Sequence, residues 1–108
     1  MANILDKIIE DKKESLKNIK KNNSLDYLEN TIKSLNNFLN FKETISNNNG
    51  VSLITEIKKA SPSAGELVKD FNHINIAKMY KDNGATCLSV LTEEKHFLGK
   101  LDYIKDIK

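Results

Sequence analysis

Isoleucine and leucine recur at helical spacing through the first forty residues, and beyond residue 50 the apolar positions turn to alternation and short runs. Ile4, Leu5, Ile8, Ile9, Leu16 and Ile19 form a stripe with charges opposite, which predicts an amphipathic helix over residues 2–20. Asn22-Asn23-Ser24 breaks it, and Ser24 can cap a second helix whose first turn carries Asp26. Leu25, Leu28, Ile32, Leu35 and Leu39 continue that helix at three- and four-residue intervals. The stripe covers only about two heptads, short of a coiled coil, so it is expected to pack within its own domain. Ser46-Asn47-Asn48-Asn49-Gly50 then reads as a polar linker ending in glycine.

From residue 51 the pattern is strand, helix, strand, helix. Val51, Leu53, Thr55 and Ile57 alternate with Ser52, Ile54, Glu56 and Lys58, and most of both rows is apolar or β-branched. That predicts a strand buried on both faces. Asp70 to Asn72 offers capping side chains, and Ile74, Ile76, Ala77 and Tyr80 give a helix stopped by Asn83-Gly84. A second apolar strand over residues 85–91 runs into a loop over 93–99, followed by a helix carrying Leu101, Ile104 and Ile107. This order implies parallel strands joined by right-handed crossovers. Two parallel strands make an inadequate sheet, with unpaired edges and two apolar faces to cover.

The end of the first strand carries candidate chemistry. Strand side chains repeat every two residues, so Glu56 and Lys58 share a face with Cβ atoms roughly 6–7 Å apart. They can form an ion pair or grip one ligand together. Ser61-Pro62-Ser63-Ala64-Gly65 follows, where Pro62 cannot continue a ladder and Gly65 permits angles that other residues avoid. An acid and a base delivered into a loop at a strand's carboxyl end suit an α/β active site. Solvated charges at a strand end are the plainer alternative.

Composition narrows the classes. Hydrophobic residues at 39% and charged residues at 30% describe a folded, soluble chain of 108 residues with room for one small domain. Its 17 basic and 15 acidic residues are interspersed, and the lysines at 12, 13, 17, 20 and 21 are read as a solvated helix face. Nucleic acid is therefore not an expected partner. No apolar stretch spans a bilayer and no signal-peptide pattern follows Met1, so neither a membrane partner nor export is expected and the location is read as cytoplasmic. The single cysteine, Cys87, excludes an internal disulfide and is read as a buried structural thiol. His73 and His96 are read as surface residues, each lacking the second group that a metal or relay requires.

EIKKASPS, with SVLTEEKHF some thirty residues later, resembles indole-3-glycerol phosphate synthase, as do the ILDKII opening, GATCLSVLTEE and Phe97-Leu98-Gly99. The resemblance covers essentially the whole chain. It implies an α/β fold, the N-terminal portion of a (β/α)8 TIM barrel with an N-terminal helical extension. Residues 1–50 would be the extension and linker, and 51–108 the first two βα units. It further implies the ring closure of 1-(2-carboxyphenylamino)-1-deoxyribulose 5-phosphate to an indole with loss of carbon dioxide and water, a lyase step of tryptophan biosynthesis that uses no metal or organic cofactor. Among the residues that match the family's motifs, Lys58 would contact the anionic substrate and Glu56 would orient lysine side chains and the anilino nitrogen. Ser61 and Pro62 would line the pocket, and Phe97 would pack against the anthranilate ring.

Thr55 stands where the family usually has alanine, Ala64 where the loop has lysine, and Asn72-His73 where the helix starts Asp-Pro. The family's general-acid lysine from strand three, its glutamate from strand four, its asparagine from strand five and its late phosphate loops match nothing in residues 1–108. A complete barrel takes about 250 residues. The chain is therefore expected to be a fragment, inactive by itself, that pairs with the remainder of the barrel or self-associates through its open strand edges.

Overall fold

A computed structural model describes residues 3–108; Met1, and Ala2 where the sequence predicts the first helix to begin, lie outside the described residues. The chain divides into two compact units, one ending at Leu39 and the other spanning Asn40–Lys108. No helix among the described residues is long and apolar enough to cross a membrane.

The first unit is helical. Helix α1 (Ile4–Asn22) starts on a reciprocal capping box. The Asp6 N–H donates to Asn3 Oδ1 at 2.9 Å, and the Asn3 N–H donates to the Asp6 carboxylate at 3.3 Å. Lys20 and Lys21 in its last turn suit the negative end of the helix dipole. Helix α2 (Leu25–Lys33) starts where Ser24 Oγ accepts the Tyr27 N–H at 3.1 Å. It does not continue to Leu39 as the leucine spacing predicted. Thr31 Oγ1 donates to the Tyr27 carbonyl at 2.8 Å, and Ser34 donates to the Thr31 carbonyl through both Oγ, at 2.7 Å, and its N–H. Short-range hydroxyl bonds of this kind compete with the helical ladder and end it. Neither helix buries a residue; apart from half-buried Ile8 in α1 their apolar stripes are exposed, and α2 is not the packed core element expected of it.

Helix α3 (Phe41–Ser46), unpredicted, opens the second unit on an Asn40 cap whose Oδ1 accepts the Glu43 N–H at 3.0 Å. Strand β1 (Ile54–Ile57) pairs in parallel with β4 (Cys87–Val90), with Ile54 opposite Cys87 and Ile57 opposite Val90. Between them lie a small antiparallel hairpin, β2 (Ala60–Ser61) with β3 (Gly65–Glu66), and helix α4 (His73–Asp82). Helix α5 (Asp102–Ile107) closes the chain. The α/β order read from the sequence stands, on a partial, two-stranded parallel sheet.

β1 is shorter than its apolar run and is not buried on both faces. Thr86 explains the late start: its Oγ1 accepts the Leu53 N–H at 2.9 Å, while the Leu53 carbonyl takes the N–H groups of both Thr86 and Cys87. A side chain thus fills a ladder position. Ile57 is 1% exposed, whereas Ile54 on the other face is 51% exposed. Ile57, Ala60, Ala77 and Tyr103 are the buried apolar residues among those described.

α4 follows the sequence closely, with Asn72 Oδ1 accepting the Asn75 N–H at 2.9 Å and Gly84 at φ +91° ending it in the left-handed region. α5 carries Ile104 and Ile107, with Leu101 just before its first residue; Tyr103 is its buried residue, Ile107 is half-buried, and Leu101 and Ile104 are exposed. The His73 ring stacks on Tyr103 at 4.2 Å and its Nε2 lies 2.8 Å from the Asp106 carboxylate, so His73 is a half-buried tie between α4 and α5 and not a solvated surface residue. Cys87 is half-buried, less enclosed than expected, because it sits on a sheet only two strands wide.

Gly99 shows how tightly the loop after β4 is folded back. A Cβ there would stand 2.2 Å from the Leu91 carbonyl oxygen, a backbone atom that cannot swing aside. Gly99→Ala is expected to cost about 1–3 kcal/mol, the usual range for overpacking. In a domain this small that lowers the thermal midpoint by roughly 5–20 °C. An unchanged midpoint in a calorimetric scan would show that the loop does not pack as described.

Candidate active site

Both parallel strands end at the same edge of the sheet, where the Leu91 N–H still donates to the Ile57 carbonyl at 3.1 Å. The residues singled out in the sequence leave the sheet from that edge. Glu56 lies on β1 opposite Ser89, and Lys58 follows directly after the strand. The period-two spacing brings them together: Lys58 Nζ lies 3.0 Å from Glu56 Oε2, with the side chains 31% and 45% exposed respectively. An ion pair this accessible contributes only about 0–1 kcal/mol to stability. Its effect is to present an ammonium and a carboxylate side by side at a strand end.

Two contacts hold the pair's backbone. Tyr80 on α4 donates its hydroxyl to the Glu56 carbonyl at 3.0 Å, and Ile57, between the two charges, anchors the strand from the opposite face. The hairpin fixes the next stretch. Ser61 Oγ accepts the Ala64 N–H at 3.2 Å, Pro62 stands exposed at the turn, and Gly65 adopts φ +68°. The Leu67 N–H closes the hairpin on the Lys59 carbonyl at 2.8 Å. Ser61 and Pro62 therefore sit within a few residues of Lys58, on a tied loop.

Phe97 comes from the loop after the neighbouring strand, and the sequence reading missed the residue that organises it. Glu93 accepts three backbone N–H groups: Lys95 at 2.9 Å on Oε1, and His96 at 2.7 Å and Phe97 at 3.1 Å on Oε2. The signal was an acidic residue just past a strand with a glycine six residues on, a turn-capping arrangement. His96, expected at the surface, is half-buried here because its backbone belongs to this turn. Partial burial alone would raise the Glu93 carboxyl, but the N–H groups of His96, Lys95 and Phe97, with the His96 charge, outweigh it and hold it below the ordinary 4.5.

A carboxyl depressed in the folded state adds stability above its unfolded pKa, and that stability is lost as pH falls through the folded pKa. Comparing the chain with Glu93→Gln by urea unfolding, the difference is expected to be constant above about pH 5.5 and to shrink below pH 4.5. A difference that did not vary with pH would remove the carboxylate from this account.

A shallow hollow of about 310 Å³ near this edge is lined by Lys59, Glu94, Leu98, Gly99 and Lys100 and does not include Glu56 or Lys58. The charged pair, and not that hollow, marks the candidate site.

Fold and pair together define an α/β protein with an acid and a base gathered at the carboxyl edge of a parallel sheet. The sequence profile described as indole-3-glycerol phosphate synthase matches residues 5–108. Proteins of that name from Clostridium acetobutylicum and Desulforamulus reducens are 47% and 44% identical to this chain over 106 and 105 residues, 97% of its length in each case. One from Rhodopirellula baltica is 53% identical over 58 residues, 54% of the chain and 22% of that protein. The chain belongs to the indole-3-glycerol phosphate synthase family. It spans about 40% of the length of the first two of these relatives.

Proposed function

We propose that this chain forms one wall of an indole-3-glycerol phosphate synthase, a cytoplasmic lyase of tryptophan biosynthesis, and that it works only when joined to the rest of a (β/α)8 barrel. The observation that carries the reading is the Glu56–Lys58 pair, 3.0 Å apart at the end of β1, in a chain matching the family over residues 5–108. In this division residues 1–50 act as the helical extension and 51–108 as the first two βα units.

The reaction joins the aryl carbon that bears the carboxylate to the ketone carbon of the sugar chain; carbon dioxide leaves from the first and water from the second. The substrate is anionic at its carboxylate and its phosphate. Lys58 supplies a cation to hold that charge, worth most once the site is closed to water. Glu56 accepts the anilino N–H and keeps Lys58 extended toward the substrate. Ser61 and Pro62 shape the pocket floor, and Phe97 packs on the anthranilate ring. The family's general acid, the strand-three lysine, has no match in residues 1–108, and losing such a group costs about 10²–10⁴-fold. The 108-residue polypeptide alone is therefore inactive.

Exposed apolar residues support pairing with the remainder of the barrel. Val51, Leu53 and Ile54 are 93%, 51% and 51% exposed along one end of β1, beside sheet edges with unpaired backbone. A bacterial strain lacking its own synthase is expected to grow without tryptophan when it produces this chain together with the complementary carboxyl-terminal part of the Clostridium acetobutylicum relative. Neither piece should suffice alone. Failure to grow with both pieces present and soluble would count against the reading.

A further inference from the structure

The loop after β4 is fixed more completely than its exposure requires. Glu93 binds the N–H groups of Lys95, His96 and Phe97 through its carboxylate and the Gly99 N–H through its carbonyl, the last at 2.8 Å. Leu98 takes φ +52°, a left-handed conformation that a branched side chain adopts only where its surroundings enforce it. Gly99 lies against the Leu91 backbone with no room for a methyl group. Leu91 in turn bonds to Ile57, the residue before Lys58. A continuous chain of contacts therefore runs from the Glu93 carboxylate to the backbone of Phe97, and from the same loop to the strand that carries the acid–base pair.

Resting on the function proposed above, we infer that Glu93 is a positioning residue of this site: its carboxylate fixes the Phe97 backbone and so sets the aromatic wall for the substrate ring, without touching substrate itself. Its oxygens are satisfied by the three backbone N–H groups, so the hydrogen-bonding capacity of the carboxylate is directed to the loop and not to a ligand. Those same N–H groups favour the charged carboxylate over the neutral acid, so the charge and the clamp support one another.

The test is a double-variant cycle on residues 1–108 paired with the carboxyl-terminal part of the Clostridium acetobutylicum relative. Glu93→Ala is expected to raise KM about tenfold, the scale of one lost aromatic contact, and to leave kcat within about threefold. Phe97→Ala should give the same split, and the double variant should be no worse than either single one. Glu93→Gln, which keeps an acceptor oxygen, should recover part of the loss, and it takes the place of Glu93→Ala in the cycle if that variant does not fold. Effects that multiply to about a hundredfold, or a fall in kcat with KM unchanged, overturn the inference. An inert parent pair instead brings down the underlying function and the inference with it. A parent pair that is active and is silenced by Lys58→Ala, together with a multiplicative Glu93–Phe97 cycle, removes the role of Glu93 alone.

Discussion

Replacing Lys58 with alanine is expected to lower kcat/KM of the reconstituted synthase by at least about a hundredfold, the scale set by removing one preorganised charged donor from a closed site. Little of that loss should reach stability. The Lys58–Glu56 pair is too exposed to contribute more than about 1 kcal/mol, so the urea midpoint of Lys58→Ala should stay close to that of the parent. Glu56→Gln offers the complementary case, because it keeps a hydrogen-bond acceptor and removes the charge that draws Lys58 to 3.0 Å. A smaller loss, with a lysine still present but less well held, is the expected result. Full activity in Lys58→Ala, measured by indole fluorescence, would show that the pair is a solvated strand end.

Ile57→Ala should do the reverse and break the fold while leaving every charged group in place. Ile57 is the largest fully buried side chain among the described residues, and the other buried apolar side chains among them are those of Ala60, Ala77 and Tyr103. Deleting such a side chain costs about 2–5 kcal/mol through lost burial and the cavity left behind. Whole domains hold only about 5–15 kcal/mol, so a unit with a core this small is expected to populate unfolded chains visibly at 25 °C. Ile57→Val, which removes one methylene, should cost about 0.5–1.5 kcal/mol. A midpoint for Ile57→Ala within error of the parent in urea unfolding would mean that the core lies elsewhere.

Features that depend on neighbouring residues were legible in the sequence. Asn72 and Asn83-Gly84 bound α4 because a cap and a left-handed stop act within one turn, and Glu56 and Lys58 share a face because strand geometry repeats every two residues. Features settled by distant or competing bonds were not. The start of β1 is decided by Thr86, 33 residues away, and no local pattern around Val51 reveals it. α2 stops at Lys33 because Thr31 and Ser34 turn their hydroxyls onto its carbonyls, while the leucine spacing runs on unchanged. His73 looked solvated until Tyr103 and Asp106 met it across α4 and α5.

The site divides along the same line. Its acid and base came from periodicity, and the roles given to Ser61, Pro62 and Phe97 came from likeness to the family. Glu93 went unseen because its effect passes through backbone N–H groups, which leave no residue-type signature at the positions they serve. The open face of β1, exposed at Ile54 beside a two-stranded sheet, differs from the doubly buried strand that its composition predicts. A sequence apolar on both faces is matched to a fuller sheet than two strands provide.

The most direct measurement is indole fluorescence on mixing carboxyphenylamino-deoxyribulose phosphate with the purified 108-residue chain, alone and with the complementary part of the Clostridium acetobutylicum relative. The expected result is no turnover by the chain alone, turnover by the pair, and loss of that turnover with Lys58→Ala. Turnover by the chain alone, or turnover by the pair that Lys58→Ala leaves unchanged, would contradict it.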